Sequence, residues 1–134
     1  MNKKMGCILI GVLSLVLVVF VFDFVRKNTD NFGYFQRFSV TINNESDYDI
    51  VSVEMGIVSG TEKDYFSGKI KSGESLRIKP ELSLAGEGAV YLKYTDGRGV
   101  IEETIACGYT ESLSGKTRIT IDNDGVTENE QKCL

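Results

Sequence analysis

Four cations within eleven residues make the densest chemistry-bearing run of this chain: Lys69, Lys71, Arg77 and Lys79, in Lys69-Ile70-Lys71-Ser72-Gly73-Glu74-Ser75-Leu76-Arg77-Ile78-Lys79. A loop at residues 73–75 would set Ile70 against Ile78, Lys71 against Arg77 and Lys69 against Lys79, with the cations on one face. Like charges directly opposite destabilise a hairpin, so the patch would want an anionic counterpart. Headgroups, a cell-wall polymer or an acidic protein would serve. The plainer reading puts the two segments in different sheets, or folds Glu74, Glu81 and Glu87 back onto the cations; a charge run is commonly a solvated face.

Cys107 and Cys133 form the second pair with chemistry in it. In an oxidising compartment they could bridge, tying the C-terminal segment to the strand around Cys107, for about 3–4 kcal/mol in the chain-entropy picture. The alternative is a buried thiol, since Cys107 lies on an apolar face.

Most catalytic chemistry lacks its residues. The chain has no His, which removes Ser-His-Asp and Cys-His systems, His metal sites and the usual acid–base group near neutral pH. Ser114-Gly115-Lys116-Thr117 matches the end of a phosphate loop, but Thr110 stands where the first Gly belongs and Arg118-Ile119-Thr120-Ile121 reads as strand instead of helix. Asp122-Asn123-Asp124-Gly125 resembles the middle of an EF-hand loop, yet Thr120 and Gln131 fall at its first and twelfth ligand positions. Glu102 and Glu103 alternate across a strand and cannot face one substrate together. No enzyme activity, metal or cofactor is expected.

The elements that would position these residues are strands. Phe38, Val40 and Ile42 alternate with Ser39, Thr41 and Asn43; Val51, Val53, Met55 and Ile57 with Ser52, Glu54 and Gly56; Thr117, Ile119 and Ile121 with Arg118 and Thr120. Val90, Leu92 and Tyr94 do the same before an Asp96-Gly97 turn. Period-two alternation between Gly, Asn, Asp and Ser clusters marks half-buried antiparallel strands. The expected fold is all-β, a single antiparallel sandwich of immunoglobulin-like character with about seven strands. Glu103 shares parity with Ile101, Ile105 and Cys107, a conflict that a bulge or an edge position would resolve.

Ahead of the strands, Met5 to Phe22 carries no ionisable side chain except Cys7. As a helix it would be about 27 Å long, close to the hydrocarbon core of a bilayer. Bulky residues through Val19–Arg26 offer no small-residue cleavage site, which favours an uncleaved anchor over a secretory signal. Lys3-Lys4-Met5-Gly6 resembles a type IV pilin leader, but those carry Glu where this chain has Gly11. The expected organisation is a cytoplasmic tail (1–4), a transmembrane anchor (5–25), a juxtamembrane connector (26–35), the sandwich (36–123) and a C-terminal tail (124–134). Flanking charges nearly balance, and the short N-terminal tail favours the N-terminus inside and the domain outside the plasma membrane.

Charge points the same way. The chain's net charge is -4, and Lys3, Lys4, Arg26 and Lys27 against Asp23 leave residues 29–134 with 11 basic and 18 acidic side chains. An acidic domain repels phosphate backbones, which speaks against nucleic acid. The layout is that of small bacterial envelope proteins. The expected function is a non-catalytic module for protein–protein interaction, accessory or immunity-type. The alternative is a sensor of anionic lipid or cell-wall polymer acting through the 69–79 hairpin.

Overall fold

The computed structural model describes residues 13–24 and 37–134. The chain divides into two units, Met1–Gly33 and Tyr34–Leu134. In the first, residues 13–24 form a helix whose side chains are all exposed, Phe20 at 74 %. Among the described residues no helix is long and apolar enough to cross a membrane. The anchor expected over 5–25 lies partly outside the described residues, and the tail at 1–4, Cys7 and the connector at 26–35 lie wholly outside them.

The second unit is a β-sandwich-like pair of four-stranded sheets. Its strands are β1 (Ser39–Asn44), β2 (Ile50–Ile57), β3 (Lys63–Phe66), β4 (Ser75–Ile78), β5 (Gly88–Asp96), β6 (Ile101–Thr110), β7 (Gly115–Asp122) and β8 (Gly125–Cys133). One sheet runs β4-β1-β7-β8 and the other β3-β2-β5-β6. All the pairings are antiparallel except β1 with β7, which run parallel. The inward-facing residues of the alternating runs meet between the sheets: Val40 and Ile42 of β1, Val53 and Met55 of β2, Val90 and Leu92 of β5, Ile119 and Ile121 of β7. Burying a side chain of this size contributes about 1.5–3 kcal/mol. Cutting one back, as in Ile42→Ala, costs more because a cavity remains.

A buried amide shapes one end of the sandwich. Asn44 donates from Nδ2 to the carbonyls of Tyr48 (2.8 Å) and Ile70 (2.9 Å), and its Oδ1 accepts from the Ser46 hydroxyl at 2.7 Å. It thereby holds the β1–β2 loop against the segment that leads into β4. Ile70 bridges to Ile50, in the β3-β2-β5-β6 sheet, whereas Ile78 pairs with Val40 in the other.

That division corrects the expected 69–79 hairpin. Residues 69–71 border one sheet and 75–79 the other, so Lys71 never faces Arg77. The physical reason is the core: Ile70 and Ile78 are both buried between the sheets, and each is held by a different neighbouring strand. Two further expectations change. Among the described residues there are eight strands instead of about seven, and the expected tail at 124–134 is β8 for most of its length. β8 hid because it is an edge strand exposed along most of its residues, so it shows no apolar alternation.

The parity conflict in β6 is settled by a bulge. The register slips between Val90↔Cys107 and Tyr91↔Ile105, which turns Ile101, Glu103 and Ile105 outward and Cys107 inward. Ala106, the extra residue, gives its carbonyl to the Thr117 hydroxyl of β7. The Ile105 carbonyl accepts from Asn129 and Gln131 of β8, both at 2.8 Å. Side chains of one sheet thus cover the bulged edge of the other.

Candidate functional site: the outer faces of the two sheets

The strand registers line up the outward residues of β4, β1, β7 and β8 in rows. One row is Arg77, Thr41, Arg118 and Glu130; the next sets Ser39 beside Lys116 and Lys116 beside Lys132. Thr41, Arg77, Lys116, Arg118, Glu130 and Lys132 line a depression of about 290 Å³. Arg77 donates from Nε and Nη2 to the Ser39 hydroxyl at 3.0 and 2.8 Å, a neutral partner that leaves its charge uncompensated. Arg118 lies 3.8 Å from Glu130, with both side chains more than half exposed at 61 % and 67 %, a pair worth little.

Of the four cations singled out in the sequence, Arg77 belongs to this face, and Lys79 follows it, exposed, just beyond β4. Lys69 and Lys71 are exposed on the segment bordering the other sheet. Of the suspected acidic counterweights, Glu74 accepts the Lys71 backbone amide at 3.2 Å and Glu87 the Tyr109 hydroxyl at 3.1 Å. Lys116, Arg118 and Lys132 were missed as a group. Lys116 and Arg118 sit at alternate positions of a legible strand, and that spacing was the signal available.

The outer face of the β3-β2-β5-β6 sheet is aromatic and mixed in charge. Tyr65, Glu54, Lys93 and Glu103 form one row; Lys63, Gly56, Tyr91 and Ile105 form the next. The Tyr91 ring lies over Gly56, close enough that a Cβ there would stand 2.7 Å from it. The Tyr91 hydroxyl donates to Glu54 at 2.6 Å, and the Lys63 ammonium donates to the same oxygen at 3.0 Å. The Tyr91 hydroxyl first, and Lys63 second, hold the Glu54 carboxyl down to about 2 from its usual 4.5. Burial chiefly, with the Glu54 bond second, pushes Tyr91 up. Through the Glu54 carboxylate the cluster ties β3 to β2 and β5. Tyr65, Ile101 and Tyr109 stand well out of this face, at 65 %, 60 % and 53 % exposure.

At the loop ends, the EF-hand-like run at 122–125 and the nearby Asp47 and Asp49 are paired with one another and with backbone. Asn123 donates to Asp47 at 2.8 Å and accepts the Asp47 amide at 2.8 Å, Asp49 accepts the Ser72 amide, and Asp122 accepts the Asp124 amide in a tight β7–β8 turn. Among the described residues no cluster of three or more carboxylates and cysteines could hold a metal. A groove of about 760 Å³ is lined by Arg37, Phe38, residues 80–84, Ser112 and Leu113. It brings a single carboxylate, Glu81, to a wall of leucines and serines.

Cys107 and Cys133 are joined as a disulfide with Cα atoms 6.1 Å apart. The bridge connects β6 of one sheet to the end of β8 in the other and sits next to Lys132. Gly115, opposite Cys133, has φ +109, and any side chain there would run into the Lys132 carbonyl.

No family model matches this chain, and no curated protein matches it. One solved structure, the NMR structure of a protein from Eubacterium rectale, overlaps 74 % of this chain and 91 % of its own at 10 % identity, with a TM-score of 0.48. At that similarity it carries no argument about fold or function.

Proposed function

We propose that this chain is a non-catalytic interaction module: an apolar N-terminal helix over 5–25 held in the plasma membrane, and a sandwich displayed outside the cell membrane that binds a partner protein in an accessory or immunity-type role. The observation that carries the reading is the outer face of the β3-β2-β5-β6 sheet. There Tyr65, Ile101, Ile105 and Tyr109 are exposed among the charges of Lys63, Glu54, Lys93 and Glu103. Aromatic and apolar anchors ringed by charge are what protein interfaces are made from. Supporting the anchor, the helix over 13–24 leaves all its side chains exposed, including Leu13, Leu17, Phe20 and Phe22. Supporting display outside, the Cys107–Cys133 bridge belongs to an oxidising compartment.

An immunoglobulin-like lineage fits the sheet order. β1 beside β4 opposite β3-β2-β5-β6 corresponds to strands B and E facing C′, C, F and G. β7 then lies parallel to β1 where an antiparallel A strand would run. The alternative built on the 69–79 hairpin loses its geometry, because its two arms lie in different sheets.

The test is photo-crosslinking in intact cells from a benzophenone amino acid placed at Tyr65 or Ile101. One discrete adduct, the same from both positions and formed in high salt, is the expected result. No protein adduct from either position would overturn the reading.

A further inference from the structure

We propose that the outer face of the β4-β1-β7-β8 sheet binds the anionic phospholipid headgroups of the bilayer that holds the N-terminal helix, through Arg77, Lys116, Arg118 and Lys132. The inference rests on the membrane-anchor reading above, and adds to it a surface and a ligand.

Segregation of charge is the first argument. Residues 29–134 are acidic, with 18 acidic against 11 basic side chains, yet this depression gathers Arg77, Lys116, Arg118 and Lys132 around one carboxylate, Glu130. Lys116 and Lys132 are direct cross-strand partners, an arrangement that costs stability unless an anion is shared between them. Arg77 and Arg118 flank Thr41 from either side, about 10 Å apart across two strand spacings.

Position in the fold selects the ligand's source. Ser39 and Thr41, the residues registered with these cations, open β1; this is the end at which the chain arrives from the N-terminal segment. Farther along the same face the row is neutral and acidic: Ser75, Asn43, Thr120 and Glu128. From Phe24 to Ser39 the connecting chain spans at most about 50 Å, so a bilayer holding the helix presents its headgroups at high effective concentration. The cations are spread over three strands, β4, β7 and β8, which suits a plane of many headgroups better than one phosphate. Contributions of basic residues near an anionic bilayer accumulate residue by residue. The remaining acidic surface is repelled by the same bilayer. Docking therefore favours one orientation, with the aromatic face of the other sheet turned outward to a partner.

The test uses the full chain reconstituted into vesicles of phosphatidylcholine alone or mixed with phosphatidylglycerol. Lysine acylation by an impermeant reagent is followed by mass spectrometry, with Lys63 and Lys93 on the opposite sheet as internal references. Lys116 and Lys132 are expected to react several-fold more slowly in the phosphatidylglycerol vesicles, and to return to the phosphatidylcholine rate in high salt or in the Arg77→Glu/Arg118→Glu variant. Equal rates in the two vesicles overturn the proposal. So does protection by soluble polyphosphate in phosphatidylcholine vesicles without protection by phosphatidylglycerol, which would assign the face to a wall polymer. An alkaline carbonate wash of the same vesicles reports separately on the anchor, so loss of the anchor and loss of headgroup contact are read apart.

Discussion

Glu54 shows how a residue in an exposed sheet face can matter to folding. Its carboxylate receives the Tyr91 hydroxyl and the Lys63 ammonium, and these hold its pKa at about 2 against the ordinary 4.5. A carboxyl depressed in the folded state contributes stability that is complete above its unfolded pKa and is lost as pH falls toward the folded value. The window here is therefore pH 4.5 down to 2. Lys63 is 45 % exposed, so solvent screens the pair and the effect is of the order of 1 kcal/mol. In urea titrations, wild type is expected to lose about that much more stability than Glu54→Gln between pH 5 and pH 2. Parallel acid limbs for the two proteins would show that the cluster contributes nothing.

At the scale of elements, β8 bears the heaviest consequence. It pairs with β7 along its length, covers the β6 bulge through Asn129 and Gln131, and ends in the bridge to Cys107. A chain stopped after Asp124 is expected to lose cooperative unfolding in calorimetry, whereas a dispensable tail would leave the transition in place. How far the sequence revealed such elements follows from how many faces each buries. β1, β2, β5 and β7 are apolar on one side and polar on the other, and their alternation is plain; β8 buries little beyond its two ends, so composition made it look like a tail. The β6 conflict was visible in Glu103, because a bulge leaves a break in parity. The 69–79 pairing misled because both arms alternate correctly; which sheet each arm joins depends on the distant partners Ile50 and Val40. The cationic face was half legible for the same reason. Arg77 stood out locally, while Lys116, Arg118 and Lys132 come beside it only through the parallel pairing of β1 with β7 and the antiparallel pairing of β7 with β8.

For the whole molecule, the sandwich presents unlike faces on its two sides: cations on one sheet, aromatics among mixed charges on the other. A tethered module with that division would rest one face on lipid and offer the opposite one to a partner. Both assignments depend on the domain standing outside a membrane that the N-terminal helix enters. Trypsin added to intact spheroplasts tests this most directly, because Arg26 and Lys27 lie between the helix and the sandwich. Release of the sandwich into the medium from unbroken cells is the expected result. A sandwich that stays uncut until the cells are lysed, or that is already free in the cytosolic fraction, would contradict it.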